Sequence, residues 1–317
     1  MAAIQQWQVS ADGGALTNEY LSQKIRKRNQ PLMVFDNYTR VEPGYGKGKG
    51  DSIDFKRRSD LVSLSGTTPL SETERMPETK ITISTATLTV DEYGNSVPRT
   101  EKLDVLSMFD VASVTREALM DDQRRTLDLL AAAKFKSTYV KYIPTGAAAG
   151  TWDTDGTAST QALVNISGWH INAIVLKMKE TYLVRPYTDD GLYVGIATPT
   201  FLSGILNDAD FRRINADYKP EKLLRNEVGI YRGVRWVEEI HSSALTSVGS
   251  GSVLGEAVIF GKDPVVKGVA LAPEVRVDTE DYGRKKGIAW LSILGYKETW
   301  PATSTAGEVT TVHVTSS

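Results

Sequence analysis

Apolar and polar residues alternate from Asp51 to Arg58 with Ile53 and Phe55 on one face, a period of two that predicts a strand. A second alternation covers residues 80–90, threonine-rich, with Ile81 and Ile83 in phase. Its apolar parity slips before Leu88 and Val90, which predicts a bulge or bend. Asp91-Glu92-Tyr93-Gly94-Asn95 reads as a turn, and Val97 onward as a returning strand. Between the two alternations, residues 59–79 are rich in Ser, Thr, Pro and Glu and read as a long loop. A structureless loop of that length is uncommon inside a compact domain. Flanked by strands, it predicts a hairpin that protrudes from the body.

From 110 to 136 there is neither proline nor glycine, and alanine, leucine and arginine are common, so one long helix is expected. Val111, Val114 and Ala118 follow helical spacing, as do Leu119, Leu127 and Leu130. The centre, Asp121-Asp122-Gln123-Arg124-Arg125, is polar all round and is expected to be exposed. About 27 helical residues span roughly 40 Å. A compact body of this length would be only about 50 Å across. Such a helix is a strut for the whole molecule.

Residues 145–160 read as an Ala/Gly/Thr/Asp loop, and Ile171, Ile174, Val175, Met178 and Tyr182 mark an amphipathic helix. Residues 192–197 predict a buried strand, and 201–206 and 210–218 short helices, with Pro199 before the first and Pro220 after the second. Two short strands flank Arg232-Gly233, a Ser/Gly-rich loop covers 242–255, and 257–260 is another strand. Val275 and Val277 alternate, 287–296 is a strong final strand, and the tail from Ala302 is Thr/Ser-rich. Residues 1–50 hold few apolar positions, with Pro31, Pro43 and glycines at 44, 46, 48 and 50, and read as an extended arm. There is no internal repeat. The order predicts an α+β protein in which strands from both ends of the chain share a sheet.

Composition narrows the function. The chain has 317 residues, with 37 Lys plus Arg against 39 Asp plus Glu, a net charge of −2. A dedicated nucleic-acid binder would be clearly basic. The basic charge is local: residues 24–58 hold ten basic and four acidic residues. That stretch is either a solvated linker or an arm laid across a neighbouring subunit. Zero cysteines exclude disulfides, thiolate metal sites and cysteine nucleophiles. Three histidines, His170, His241 and His313, leave little room for a histidine metal site. The N-terminus is too polar for a signal peptide, and no apolar run reaches the 18 or so residues of a membrane helix. A soluble, unexported protein is expected.

No motif carries chemistry. Gly44-Tyr45-Gly46-Lys47-Gly48-Lys49-Gly50 has neither the Walker nor the dinucleotide spacing, and a strand follows it rather than a helix. Asp153-Thr154-Asp155-Gly156 resembles the middle of an EF-hand, but Thr151 and Ala162 fall where the first and last ligands belong. Asp121-Asp122, Asp189-Asp190 and Glu238-Glu239 are sequence neighbours whose side chains point apart, so solvated faces are expected rather than catalytic dyads. His170 and His241 read as structural, and no Gly-x-Ser-x-Gly elbow occurs.

Arm, protruding hairpin, long helix, α+β body and returning strands form an unusual order. It resembles the tailed-bacteriophage major capsid protein of the Hong Kong 97 fold. Several segments are similar to its podophage-type branch: Gly48-Lys49-Gly50-Asp51 running into the first strand, Pro69-Leu70-Ser71-Glu72 in the loop, and the stretch 87–97. Gln123-Arg124-Arg125-Thr126-Leu127-Asp128, the run 226–239 around Arg232-Gly233, Ile259-Phe260-Gly261-Lys262-Asp263 and 281–287 complete the set. The likeness covers roughly residues 25–300 and lies in order and spacing.

The resemblance implies a division into an N-terminal arm (1–50), extended-loop hairpin and peripheral strands (51–104), spine helix (105–144), axial domain (145–272) and peripheral strands with a C-terminal tail (273–317). It implies a non-enzymatic coat protein that self-assembles, as hexamers and pentamers, into an icosahedral head around double-stranded DNA. The protein would be located in the virion capsid and assembled in the bacterial host cytoplasm. Partners implied are further copies of the chain, a separate scaffolding protein, a portal protein, a possible decoration protein, and packaged DNA bound without sequence specificity. No membrane and no cofactor are implied. A separate scaffold follows because only some fifty residues precede the first strand, where some members carry a scaffolding segment of about a hundred. No residue matches the lysine–asparagine crosslink of some members. Candidate inter-subunit contacts are Lys24, Arg26, Lys27, Arg28, Arg57, Arg58, Glu72, Glu74 and Arg75. An encapsulin-like cellular shell and an α+β enzyme with an unrecognised site stay open as alternatives.

Overall fold

The computed structural model describes residues 33–42, 46, 48–58, 69, 72–73, 75–76, 78, 80–107, 110–217, 227–246, 255–300 and 303–315. A 3₁₀ turn at Phe35–Tyr38 leads into β1 (Arg40–Val41). Strands β2 (Ser52–Arg58) and β3 (Ile83–Thr89) pair antiparallel in unbroken register from Ser52↔Thr89 to Arg58↔Ile83. The bulge expected in β3 is absent. Ala86 and Leu88 are buried beside Phe55 and Ile53, while Ile81 and Ile83 lie exposed on the opposite face. The apolar parity slips because the strand is apolar on one face at one end and on the other face at the other.

Strand β4 (Asp91–Thr100) begins where a turn was expected. Asp91 to Asn95 instead pair with Leu294 to Trp290. A Cβ at Gly94 would sit 2.7 Å from the Trp290 carbonyl oxygen, so glycine here serves close approach rather than a turn. Helix α1 (Glu101–Leu106) is N-capped by Thr100, and α2 (Val111–Lys136) by Asp110. The buried face of α2 runs through Thr115, Leu119, Leu127, Ala131, Ala132 and Phe135; Val114 and Ala118 are exposed.

The expected loop at 145–160 is largely a hairpin of β5 (Lys141–Gly146) and β6 (Ala149–Asp153). Then follow α3 (Gly168–Glu180), β7 (Tyr193–Ala197), α4 (Pro199–Leu206), α5 (Ala209–Asp217), β8 (Glu227–Tyr231), β9 (Val234–Glu238) and β10 (Ala257–Phe260). The β8–β9 link places Arg232 at φ 49° and Gly233 at φ 80°, the two left-handed residues of a tight hairpin turn. Long strands β11 (Val265–Glu280) and β12 (Lys285–Glu298) form a second hairpin. The Thr/Ser-rich tail is not an appendage: β13 (Thr311–Val314) is fully buried.

Among the described residues three sheets form. A four-stranded sheet runs β1-β11-β12-β4, so strands from both ends of the chain do share a sheet. A seven-stranded sheet runs β6-β5-β13-β10-β7-β9-β8, and β2–β3 stand as a pair. The seven-stranded sheet is covered on both faces. Tyr193, Ala197, Ala257 and Ile259 face a core with α3 and α4, while Val194, Ile196, Val258 and Phe260 face the C-terminal half of α2. That double burial explains why β7 and β10 read as continuous apolar runs.

Candidate assembly surfaces and buried polar anchors

The β2–β3 hairpin has an inner and an outer face. Inside, Leu88 and Ile53 seat on Gly268 of β11, where a Cβ would come within 2.7 and 3.0 Å of their methyl groups. Arg57 is turned the same way. Its Nη1 donates to the Thr299 carbonyl at 3.2 Å, its Nη2 to the Thr85 carbonyl at 3.3 Å, and it lies near the Phe55 and Trp300 rings. Outside, Asp54, Lys56, Arg58 and Ile83 are exposed. Glu72 is exposed, and Arg75 is an exposed ion pair with Glu78. Lys24, Arg26, Lys27, Arg28 and Glu74 lie outside the described residues. Of the two candidate contacts Arg57 and Arg58, strand alternation turns the first inward and the second outward.

Further apolar side chains stand exposed at the far end of the four-stranded sheet: Leu103, Val105, Leu106, Val277 and Tyr282. Tyr282 sits in a left-handed turn with φ values of 49°, 52° and 90° at Asp281, Tyr282 and Gly283. One face of this sheet holds a groove of about 650 Å³ over Pro98, Gly287 and Ala289, edged by Arg276, Glu280 and Lys285. Its floor is made of small residues.

The histidines are structural, as expected of His170 and His241. His170 and Ser167 form a capping box for α3, and the other His170 ring nitrogen lies 2.8 Å from the Gly146 carbonyl. His241 Nδ1 accepts from the Ala244 amide. His313, fully buried in β13, joins Lys141 Nζ at 3.1 Å to Glu256 at 2.6 Å. Burial drives its imidazole down and neutral, so Nδ1 accepts from Lys141 and Nε2 donates to Glu256. Burial pushes the Glu256 carboxyl up, but His313, Lys136 and the Thr246 amide outweigh it and hold it at about 2. Asp153 accepts from the Ser159 amide and hydroxyl, and among the described residues no cluster of three or more His, Asp or Glu could hold a metal.

Two of the carboxylates expected on solvated faces are engaged by the fold. Asp122 accepts from Trp290 Nε1 and Asn95 Nδ2, and Glu239 is buried. Neither placement carries a sequence signal: Trp290 is 168 positions from Asp122, and Glu239, though it accepts the His241 amide two residues on, also faces the distant Val34 amide.

No protein-family model matches the sequence, and no curated protein matches it. Solved structures do. A chain of the Ralstonia phage GP4 capsid has a TM-score of 0.65 at 14% identity, covering 97% of this chain and 97% of that one. The head of Helicobacter pylori bacteriophage KHP40 gives 0.69 at 10% identity over 96% and 97%. The cyanophage Pam1 capsid gives 0.68 at 15% identity over 99% of both chains. The chain has the α+β fold of these phage capsid subunits over nearly the whole matched length.

Proposed function

We propose that this chain is a major capsid protein that assembles into the icosahedral head of a tailed bacteriophage. The observation that carries the reading is a fold shared over nearly the whole chain with capsid subunits of several phages, with no large part left over for another activity. The two-faced hairpin supports it. Ala86 and Leu88 are used by the chain's own body, while Ile81 and Ile83 are apolar, exposed and free to be buried by another copy. Most of the 59–79 stretch read from the sequence as a loop lies outside the described residues.

On this reading the protein does no catalysis, resides in the virion capsid and is assembled in the host cytoplasm. It forms hexamers and pentamers with a separate scaffolding protein, a portal, a possible decoration protein and DNA held without sequence readout. Residues 1–50 act as the arm, 51–104 as hairpin and peripheral strands, 105–144 as spine and 145–272 as axial domain. The segment 273–317 supplies peripheral strands and then β13, which inserts between β5 and β10. Lys24, Arg26, Lys27, Arg28, Arg58, Glu72, Glu74 and Arg75 are proposed for subunit contacts, with Arg57 holding the hairpin base. Sedimentation and negative-stain microscopy of the chain with its scaffolding protein test the reading. Closed megadalton particles are expected. A chain that stays monomeric under every assembly condition overturns it.

A further inference from the structure

Two buried carboxyl groups flank the short segment Val34 to Asp36. Asp128 on α2 and Glu239 just after β9 are each only 1% exposed. Asp128 Oδ1 accepts the Asp36 amide at 3.2 Å, and the Val34 and Phe35 amides also face this carboxyl. Glu239 Oε1 accepts the His241 amide at 2.7 Å, and the Ile240 and Val34 amides face it. Val34 therefore lies between the two carboxyls. The second oxygen of each, Asp128 Oδ2 and Glu239 Oε2, is buried and accepts no hydrogen bond from the described residues. An ionised carboxylate left so is costly, whereas a protonated one is far less so.

The Lys267 ammonium beside the segment is already engaged. Asp36 binds Lys267 Nζ at 2.7 and 2.9 Å and accepts the Tyr296 hydroxyl at 2.6 Å, so the nearby ammonium is committed to a different carboxylate. Tyr93 also lies beside Tyr296, and burial and carboxylate neighbours keep both phenols protonated. Burial lowers His241, and Arg125 lowers it further, so this imidazole brings no positive charge. Phe35 anchors the segment apolarly against Phe135, ring centroids 5.3 Å apart.

We propose that Asp128 and Glu239 form a proton-operated latch on residues 34–36, closed while the carboxyls hold their protons and loosened when they ionise. Burial is the main cause for both groups. It raises Asp128 to about 6 against its amide donors, and it raises Glu239 to about 8, with the Asp128 charge adding to the rise. A carboxyl whose folded value is raised contributes stability below its unfolded value and loses it as pH climbs to the folded one. The Glu239 window is therefore about pH 4.5 to 8, and that of Asp128 about 3.8 to 6. Between pH 6 and 8 Glu239 alone governs the latch. It would set how firmly residues 34–36 are tied to α2, whether or not the chain forms shells.

Hydrogen exchange at the amides of Val34, Phe35 and Asp36, on the unassembled full-length chain between pH 6 and 8 and corrected for intrinsic base catalysis, tests this. In the wild type the opening equilibrium should rise by up to about tenfold per pH unit, as one coupled proton requires. In Glu239→Gln it should be nearly flat. A flat wild-type profile overturns the latch, as does a variant as steep as the wild type. If Glu239→Gln does not fold, the wild-type Glu239 carboxyl followed by carbon-13 NMR decides. A midpoint near 8 supports the latch, and one near the ordinary glutamate value of about 4.3 overturns it.

Discussion

Trp290 in β12 donates its indole N–H to Asp122 Oδ2 of α2 at 3.0 Å, joining the long helix to the four-stranded sheet. The same oxygen accepts from Asn95 Nδ2 at 2.9 Å, so one carboxylate on the polar middle of the helix holds two strands. Leu119, Ile288 and Trp290 pack beside it as a small separate core. The helix is thus pinned at its middle by polar bonds and at its C-terminal half by the main core.

Replacing Asp122 with Ala leaves the largely buried indole N–H without its acceptor, which costs about 1–3 kcal/mol. Denaturant unfolding of the unassembled chain should show a lower midpoint with an unchanged slope. A midpoint within error of the wild type would mean that the Trp290 bond is not made in solution.

Gly295 lies where β3 passes into β4. A Cβ there would come within 2.0 Å of the Thr89 carbonyl oxygen, and backbone cannot give way as a side-chain tip can. Gly295→Ala should destabilise by about 1–3 kcal/mol, as overpacking does, and should loosen the hairpin base. Calorimetry reads the first effect, and proteolysis near Val90 the second. A variant as stable as the wild type would show that the crossing is looser than described.

Acid should act through the other buried polar group. His313 is held neutral and Glu256 ionised, so both folded values are depressed and both groups lose stability as pH falls. The loss begins below the ordinary histidine value of about 6.5 and deepens below about 4.5, where Glu256 titrates in the unfolded chain. Its sign is opposite to that of Asp128 and Glu239, so it is read as a difference. The gap in thermal midpoint between wild type and His313→Gln should narrow as pH falls from 7 to 5. A constant gap would mean that His313 does not titrate between the states.

The outer face of the hairpin should matter to assembly and hardly to the fold. Changing Ile81 and Ile83 together to Ser, both exposed, should move the stability of the unassembled chain by no more than about 0.5 kcal/mol each while reducing particle yield. Replacing residues 62–76 with a short Gly/Ser turn should keep the body folded and abolish particles. Circular dichroism and sedimentation separate the two effects. Normal particles from both variants would remove the hairpin from the interface.

Elements whose period and burial agree were legible in the sequence. Helix α2, strands β2, β7, β10 and β12, and the Arg232-Gly233 turn stand close to where the pattern put them. Elements were missed where polar residues are buried or where a turn-like composition is overruled. Thr311-Val312-His313-Val314 alternates, and that period was the available signal for β13, yet threonine and histidine made it read as tail. Asp91 to Asn95 have turn composition but are held extended by β12. Arg57 and Arg58 were both candidate contacts, and only the packing of β2 shows which of the two faces the body.

By itself the sequence determined local conformation, because backbone period, proline and glycine placement, and helix caps act within a few residues. It also determined the absence of cysteine chemistry. Only the tertiary structure decided which sheet each strand joined, that β13 lies between β5 and β10, and that Asp128, Glu239 and Glu256 are buried. Those outcomes depend on contacts between residues up to some hundreds of positions apart. Burial and charge state belong to the assembled surroundings of a side chain, and no window along the chain contains them.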